Sequence, residues 1–161
     1  MKRTPAAICI AALALGTAIP AYATGPHLHE SAHPASPAQG SLAFDQGRKW
    51  STDAALRRHM EDIRASLAQR REAILADKLT PQDERALAET IEQRVAAILT
   101  DCKLEPRADA NLHLIVADLV RSADILQGKS SLPRRHGASL AVRATQMYAT
   151  YFDHPGWIRV Y

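Results

Sequence analysis

From Leu56 to Phe152 the apolar residues recur every three or four positions, a period that suits a helix and no other regular element. In the first segment Leu56, Met60, Ile63, Leu67 and Ile74 keep one face, while Arg57, Arg58, Glu61, Asp62 and Arg71 take the others. Ser51, Thr52 and Asp53 supply capping oxygens ahead of it, so the spacing predicts a helix from about Thr52 to Asp77. Thr80-Pro81-Gln82-Asp83 then sets a hydroxyl at the N-cap, proline in the first turn and an acid behind it. Leu87, Ile91, Val95, Ile98 and Cys102 share a face of this second helix, which is expected to end near Cys102, before Leu104-Glu105-Pro106. Leu112, Val116, Leu119, Ala123 and Leu126 mark a third helix closed by Gly128. A fourth carries Leu140, Ala144, Met147 and Tyr151 on one stripe, Ala141, Tyr148 and Phe152 beside it, and stops by Pro155-Gly156.

No stretch after residue 47 alternates with period two for long enough to make a strand. The expected class is therefore all-α, and four amphipathic helices with short connections favour an antiparallel up-down-up-down four-helix bundle over residues 48–161. That topology brings the start of the first helix, the end of the second, the start of the third and the end of the fourth to one end. Trp50 and Trp157 fall there too, as two indoles capping the core.

The chain before this domain reads differently. Lys2 and Arg3, the apolar run from Ala6 to Ile19 and then Ala21-Tyr22-Ala23 have the form of a secretory signal peptide over residues 1–23, cleaved near Ala23. A periplasmic location follows as an expectation, and the apolar run is too short to serve as a membrane anchor. Residues 24–47, rich in Pro, Ser, Ala, Gly and His, read as a flexible tail. Without Lys2 and Arg3 the 20 basic residues fall to 18, against 17 acidic ones. Such a balance does not suit nucleic-acid binding, which needs a concentrated basic face. Loss of Cys9 leaves Cys102 as the lone thiol, with no intramolecular partner.

Candidate ligands gather in two places. His59, Met60, Cys102, His113 and His154 all map to one end of the predicted bundle, whereas His136 falls at the other. A soft Met/Cys/His set suits copper rather than magnesium or calcium. Met60 and Cys102 also lie on apolar stripes, where core packing is the competing role, and His113 at the margin of its face could simply bond a neighbouring carbonyl. His27, His29 and His33 form a second, independent set in the tail, able to chelate copper, nickel or zinc once the chain is ordered. Haem is a third option. Covalent attachment is excluded by the lack of Cys-x-x-Cys-His, and Met60 with His154 only approximates the methionine and histidine pair of cytochrome b562, with poorly matched heights. No Gly-rich phosphate loop, Gly-x-Ser-x-Gly, His-Glu-x-x-His or paired Glu-x-x-His occurs, so the chain is expected to bind rather than catalyse.

The runs Gly47-Arg48-Lys49-Trp50-Ser51-Thr52-Asp53, Cys102-Lys103-Leu104-Glu105-Pro106 and Tyr151-Phe152-Asp153-His154-Pro155-Gly156-Trp157 resemble those of small exported bacterial proteins called DnrO-like. That label suggests a transcription regulator, which the leader and the balanced charge contradict. The resemblance implies a small exported helical protein and assigns no binding residue. The expected function is thus a monomeric or weakly dimeric periplasmic bundle that binds a transition-metal ion, copper first. An envelope protein partner without metal is the alternative, and non-covalent haem comes third.

Overall fold

Three of the four long helices begin where a polar side chain or a proline satisfies or removes N–H groups that a first turn leaves unpaired, and the last begins without such a cap. The computed structural model describes residues 40–161, and five helices are found among them: α1 (Ala54–Gln69), α2 (Arg71–Leu75), α3 (Pro81–Asp101), α4 (Pro106–Leu126) and α5 (Arg135–Tyr151). No strand occurs among the described residues, so the chain there is all-helical. The proposed leader, residues 24–39 of the tail and His27, His29 and His33 lie outside the described residues. No described helix is long and apolar enough to cross a membrane.

Asp53, one of the three capping oxygens expected before the first helix, is the N-cap: its Oδ1 accepts from Leu56 N–H at 2.7 Å. Thr80 and Asp83 form a reciprocal capping box, with Pro81 in the first turn. Pro106 opens α4 behind Glu105, whose carboxylate accepts from Arg107 N–H.

The single helix expected from Thr52 to Asp77 is instead broken at Arg70. The Ser66 carbonyl, which an unbroken helix would give to Arg70 N–H, accepts Arg70 Nη1 at 3.0 Å, and Arg70 N–H turns to Leu67 O. No residue of α2 is fully buried, since the apolar stripe thins after Leu67.

α1 packs against α3 and α5, α3 against α4, and α4 against α5. Their shared core holds Leu56, Met60, Ile63, Leu87, Leu119 and Tyr148, all without solvent exposure. Between α4 and α5 the backbones approach closely. A Cβ on Gly137 would stand 2.7 Å from both Leu126 Cγ and Ser122 O and 3.0 Å from Leu126 N. Ala123, Ala138 and Ala141 keep the same seam thin.

Two backbone hydrogen bonds tie the entry of the domain to its exit: Trp50 N–H donates to Tyr151 O and Asp153 N–H donates to Trp50 O, both at 2.8 Å. Residues 42–47, read from sequence as part of the tail, are docked on this end. The chain reverses through Asp45–Arg48, helped by Gly47 at φ +83°, and the Ala43 carbonyl accepts the buried Trp50 indole N–H at 2.7 Å. Ala43 N–H in turn donates to Asn111 Oδ1. A buried indole needs that acceptor, so the domain begins earlier than Arg48.

Gly137→Ala is expected to destabilise the protein by about 1–3 kcal/mol, because the atoms it meets include α4 backbone and cannot swing aside. Thermal unfolding of the variant measures this, and an unchanged midpoint would show that the seam is looser than described.

Candidate functional site

The five candidate ligands of the domain do lie near one end, but three different neighbourhoods receive them. Among the described residues no three His, Cys, Asp or Glu side chains are placed to hold one metal ion together. A single site built from all five does not assemble.

Met60 has no exposed surface and is packed by core side chains on every side. His59, one residue earlier, is nearly as buried, and its Nε2 donates to Asp101 Oδ2 at 3.0 Å. That bond fixes the tautomer and leaves a buried Nδ1 with no hydrogen-bond partner. His59 thus acts as a polar clasp between α1 and the end of α3. Asp101 was not singled out from sequence, because 42 residues separate the pair and no local spacing announces it.

His154 has different partners, just beyond the end of α5. The Tyr148 hydroxyl donates to its Nδ1 at 3.0 Å, and its ring stands 4.9 Å from that of Trp157. Burial, chiefly, holds His154 below the usual imidazole range; Glu61 offsets this in part, while Arg57 and Arg64 add to it. Burial also raises Tyr148 above the ordinary phenol value. The pair is therefore a neutral hydrogen bond inside an aromatic corner with Phe152 and Trp157. An iron held by Met60 and His154 would have to break both this corner and the core around Met60.

Cys102 and His113 remain, and they line the same cleft of about 470 Å³ between the end of α3 and the start of α4. Cys102 is the C-cap of α3, with non-helical backbone that turns the chain toward Lys103 and Leu104. The loop is anchored by Asp53, whose Oδ2 accepts Lys103 N–H at 2.6 Å while Oδ1 caps α1. His113 stands one turn beyond Asp109 on α4, and its Nδ1 donates to Asp109 O at 2.9 Å with Asp109 Oδ2 at 3.4 Å. That arrangement leaves the Nε2 lone pair free to bind. Asp109, which also lines the cleft, was not singled out from sequence, although its i,i+4 spacing from His113 is the signal that would have found it.

Burial pushes the Cys102 thiol up to about 12, helped by the negative charges of Asp53, Asp101 and Asp109 and opposed by Arg58. The thiol keeps its proton at neutral pH, yet the field that holds the proton would equally favour a bound cation.

Comparison with protein-family models, with curated proteins and with solved structures finds no match to this chain.

Two expectations follow. Cys102 should react with iodoacetamide at neutral pH some tens of times more slowly than free cysteine, since its smaller thiolate fraction outweighs the higher nucleophilicity of a basic thiolate; equal rates would contradict the acid-rich, half-buried setting. For His154 the folded form binds its proton less readily than the unfolded chain, so its contribution is complete above the unfolded imidazole value of about 6.5 and is lost as pH falls from there through the lower folded value. Glu61 and Asp83, both lowered in the fold, lose their contributions only at more acid pH. His154→Gln should flatten the fall of the unfolding midpoint in the upper window alone, and an unaltered slope would assign that fall to another group.

Proposed function

We propose that the protein is an exported binding protein whose four long helices form an antiparallel up-down-up-down bundle, and that it takes up copper(I) in the cleft between Cys102 and His113. The bundle arrangement is supported by pairs at opposite ends. His59 near the start of α1 meets Asp101 at the end of α3, whereas Arg70 just after α1 meets Asp83 at the start of α3 at 3.4 Å. Arg143 on α5 likewise reaches Asp118 on α4, while the Arg134 guanidinium before α5 reaches the carbonyl of Leu126 at the end of α4. Export rests on residues 1–23, in keeping with the resemblance to DnrO-like proteins.

The observation that carries the metal reading is the shared cleft: one thiol and one imidazole, with the His113 tautomer set by a backbone carbonyl so that Nε2 is free. A thiolate and an imidazole form a soft pair. Copper(I) accepts two such ligands, whereas zinc in a structural site asks for four. Asp109 in the cleft wall, with Asp53 and Asp101 close enough to act on the thiol, supplies negative charge for the incoming cation. Binding must displace the Cys102 proton, so affinity depends on pH. His27, His29 and His33 would serve as a separate, looser chelating arm.

Competition with a chromogenic copper(I) chelator tests this on the mature protein under reducing conditions. Cys102→Ser and His113→Ala are each expected to lower copper(I) affinity about tenfold or more with helicity unchanged, and wild-type affinity should fall about tenfold for each pH unit of acidification. If both variants bind as the wild type does, the cleft is not the site. A loss confined to the variant with alanine at 27, 29 and 33 would move the function to the tail.

A further inference from the structure

His136, the one histidine expected at the far end of the domain, takes no part in the copper cleft. It lines a second, open cleft of about 410 Å³ between α4 and α5, bordered by Leu132 of the loop that joins them. From His113 to Ile125 along α4 is a rise of about 18 Å, so the two sites are separate.

The chemistry of this second cleft is divided. One part is apolar: Ile125 is buried at the floor, Leu140 is half-buried, and Leu132 stands exposed on the loop. Leu140 belongs to the apolar stripe of the fourth predicted helix, yet it faces this opening and not the closed core. The other part is cationic, with Arg121 from α4 and Arg143 from α5, and no Asp or Glu lines it. Arg143 is held at its edge by Asp118, Nη2 to Oδ2 3.2 Å. Arg121 has no carboxylate within ion-pair distance among the described residues, because Asp118 serves Arg143 and Asp124 serves Lys129. Ser139 adds a hydroxyl on the α5 wall.

A concave site of this size, half apolar and half donor, suits a small ligand of matching division. We propose that it binds an aliphatic carboxylate of medium chain length. The carboxylate sits between the Arg121 and Arg143 guanidinium groups, which present fork-shaped donors suited to it. The His136 ring offers a further hydrogen bond to the same head, and the Ser139 hydroxyl would add another by turning from the Arg135 carbonyl, to which it donates at 3.3 Å. The tail lies along Ile125, Leu140 and Leu132, removing from water the exposed leucine of the loop. Charge complementarity selects the head and the floor selects the tail, so neither acetate nor a cationic amphiphile fits both halves. The site is independent of copper, since none of its residues touches the Cys102 cleft.

Decanoate, below its micelle concentration and with a chelator present to remove metal, is the probe. Titration of the isotopically labelled mature protein, followed by amide NMR, is expected to give saturable shifts at Arg121, Ser139 and Arg143. The double variant Arg121→Gln, Arg143→Gln should weaken decanoate at least tenfold, and Leu132→Ser several-fold, with the thermal midpoint little changed because all three side chains are exposed. Acetate and decyltrimethylammonium should give no saturable shifts at these amides. Decanoate binding that survives the double variant, or decyltrimethylammonium binding there as well as decanoate does, would overturn the proposal and leave only adhesion to an apolar surface.

Discussion

The pair of backbone hydrogen bonds that Trp50 exchanges with Tyr151 and Asp153 closes the domain, and much of the chemistry at that end depends on it. A short extended segment before α1 is held against the extended segment after α5, about a hundred residues further along the chain, so the first and last helices become neighbours. Trp50 makes the closure strong. Its indole is buried, its N–H is satisfied by Ala43, and the Arg107 guanidinium lies 5.4 Å from its ring centre. Thr52 adds a hydroxyl bond to Asp153 O, and Lys49 Nζ reaches Ala149 O. With the entry fixed, Asp53 is placed so that one carboxylate caps α1 and also grips the loop after α3. The Cys102 cleft is a consequence of that grip.

Burial then distributes the polar residues of this end among different partners. A histidine taken out of water must find a hydrogen bond or lose free energy. His59 finds Asp101, His154 finds Tyr148, and His113, which remains exposed, bonds the carbonyl one turn behind it. Three imidazoles that share an end of the domain are thereby directed to three targets. Met60, with no polar atom to satisfy, goes to the core. Cys102 is the intermediate case: too buried to ionise readily, yet open to the same cleft as His113.

The opposite end is shaped by backbone proximity. Gly137 lets α5 lie against Ser122 and Leu126 of α4, and Arg134 caps the Leu126 carbonyl where α4 ends. Gly128, at φ +75°, supplies the turn that leads into the connecting loop. Helices pressed together at one level leave side chains on the flank, Arg121, Leu140 and Arg143, to frame an opening beside the seam. The α3–α4 cleft has a different origin, since it follows from the extended backbone at Cys102 and not from helix proximity.

By itself the sequence determined the helices and most of their limits. The spacing of Leu56, Met60, Ile63 and Leu67, the Thr80 capping box and Pro106 are local facts, and helix formation depends on local bonds and one buried face. It missed the break at Arg70, because a guanidinium competing for the Ser66 carbonyl leaves no trace in the hydrophobic period. It also placed the domain boundary too late, since the acceptor for Trp50 is a backbone carbonyl that any residue at position 43 would carry. Of the candidate site, the sequence could place His59, Met60, Cys102, His113 and His154 at one end, as helix order and length require. Which of them meet was decided by tertiary structure alone. Rotation about each helix axis and the turn after α3 set Cys102 beside His113, joined His59 to Asp101 and turned His154 to Tyr148, and those angles depend on packing between residues far apart in the chain.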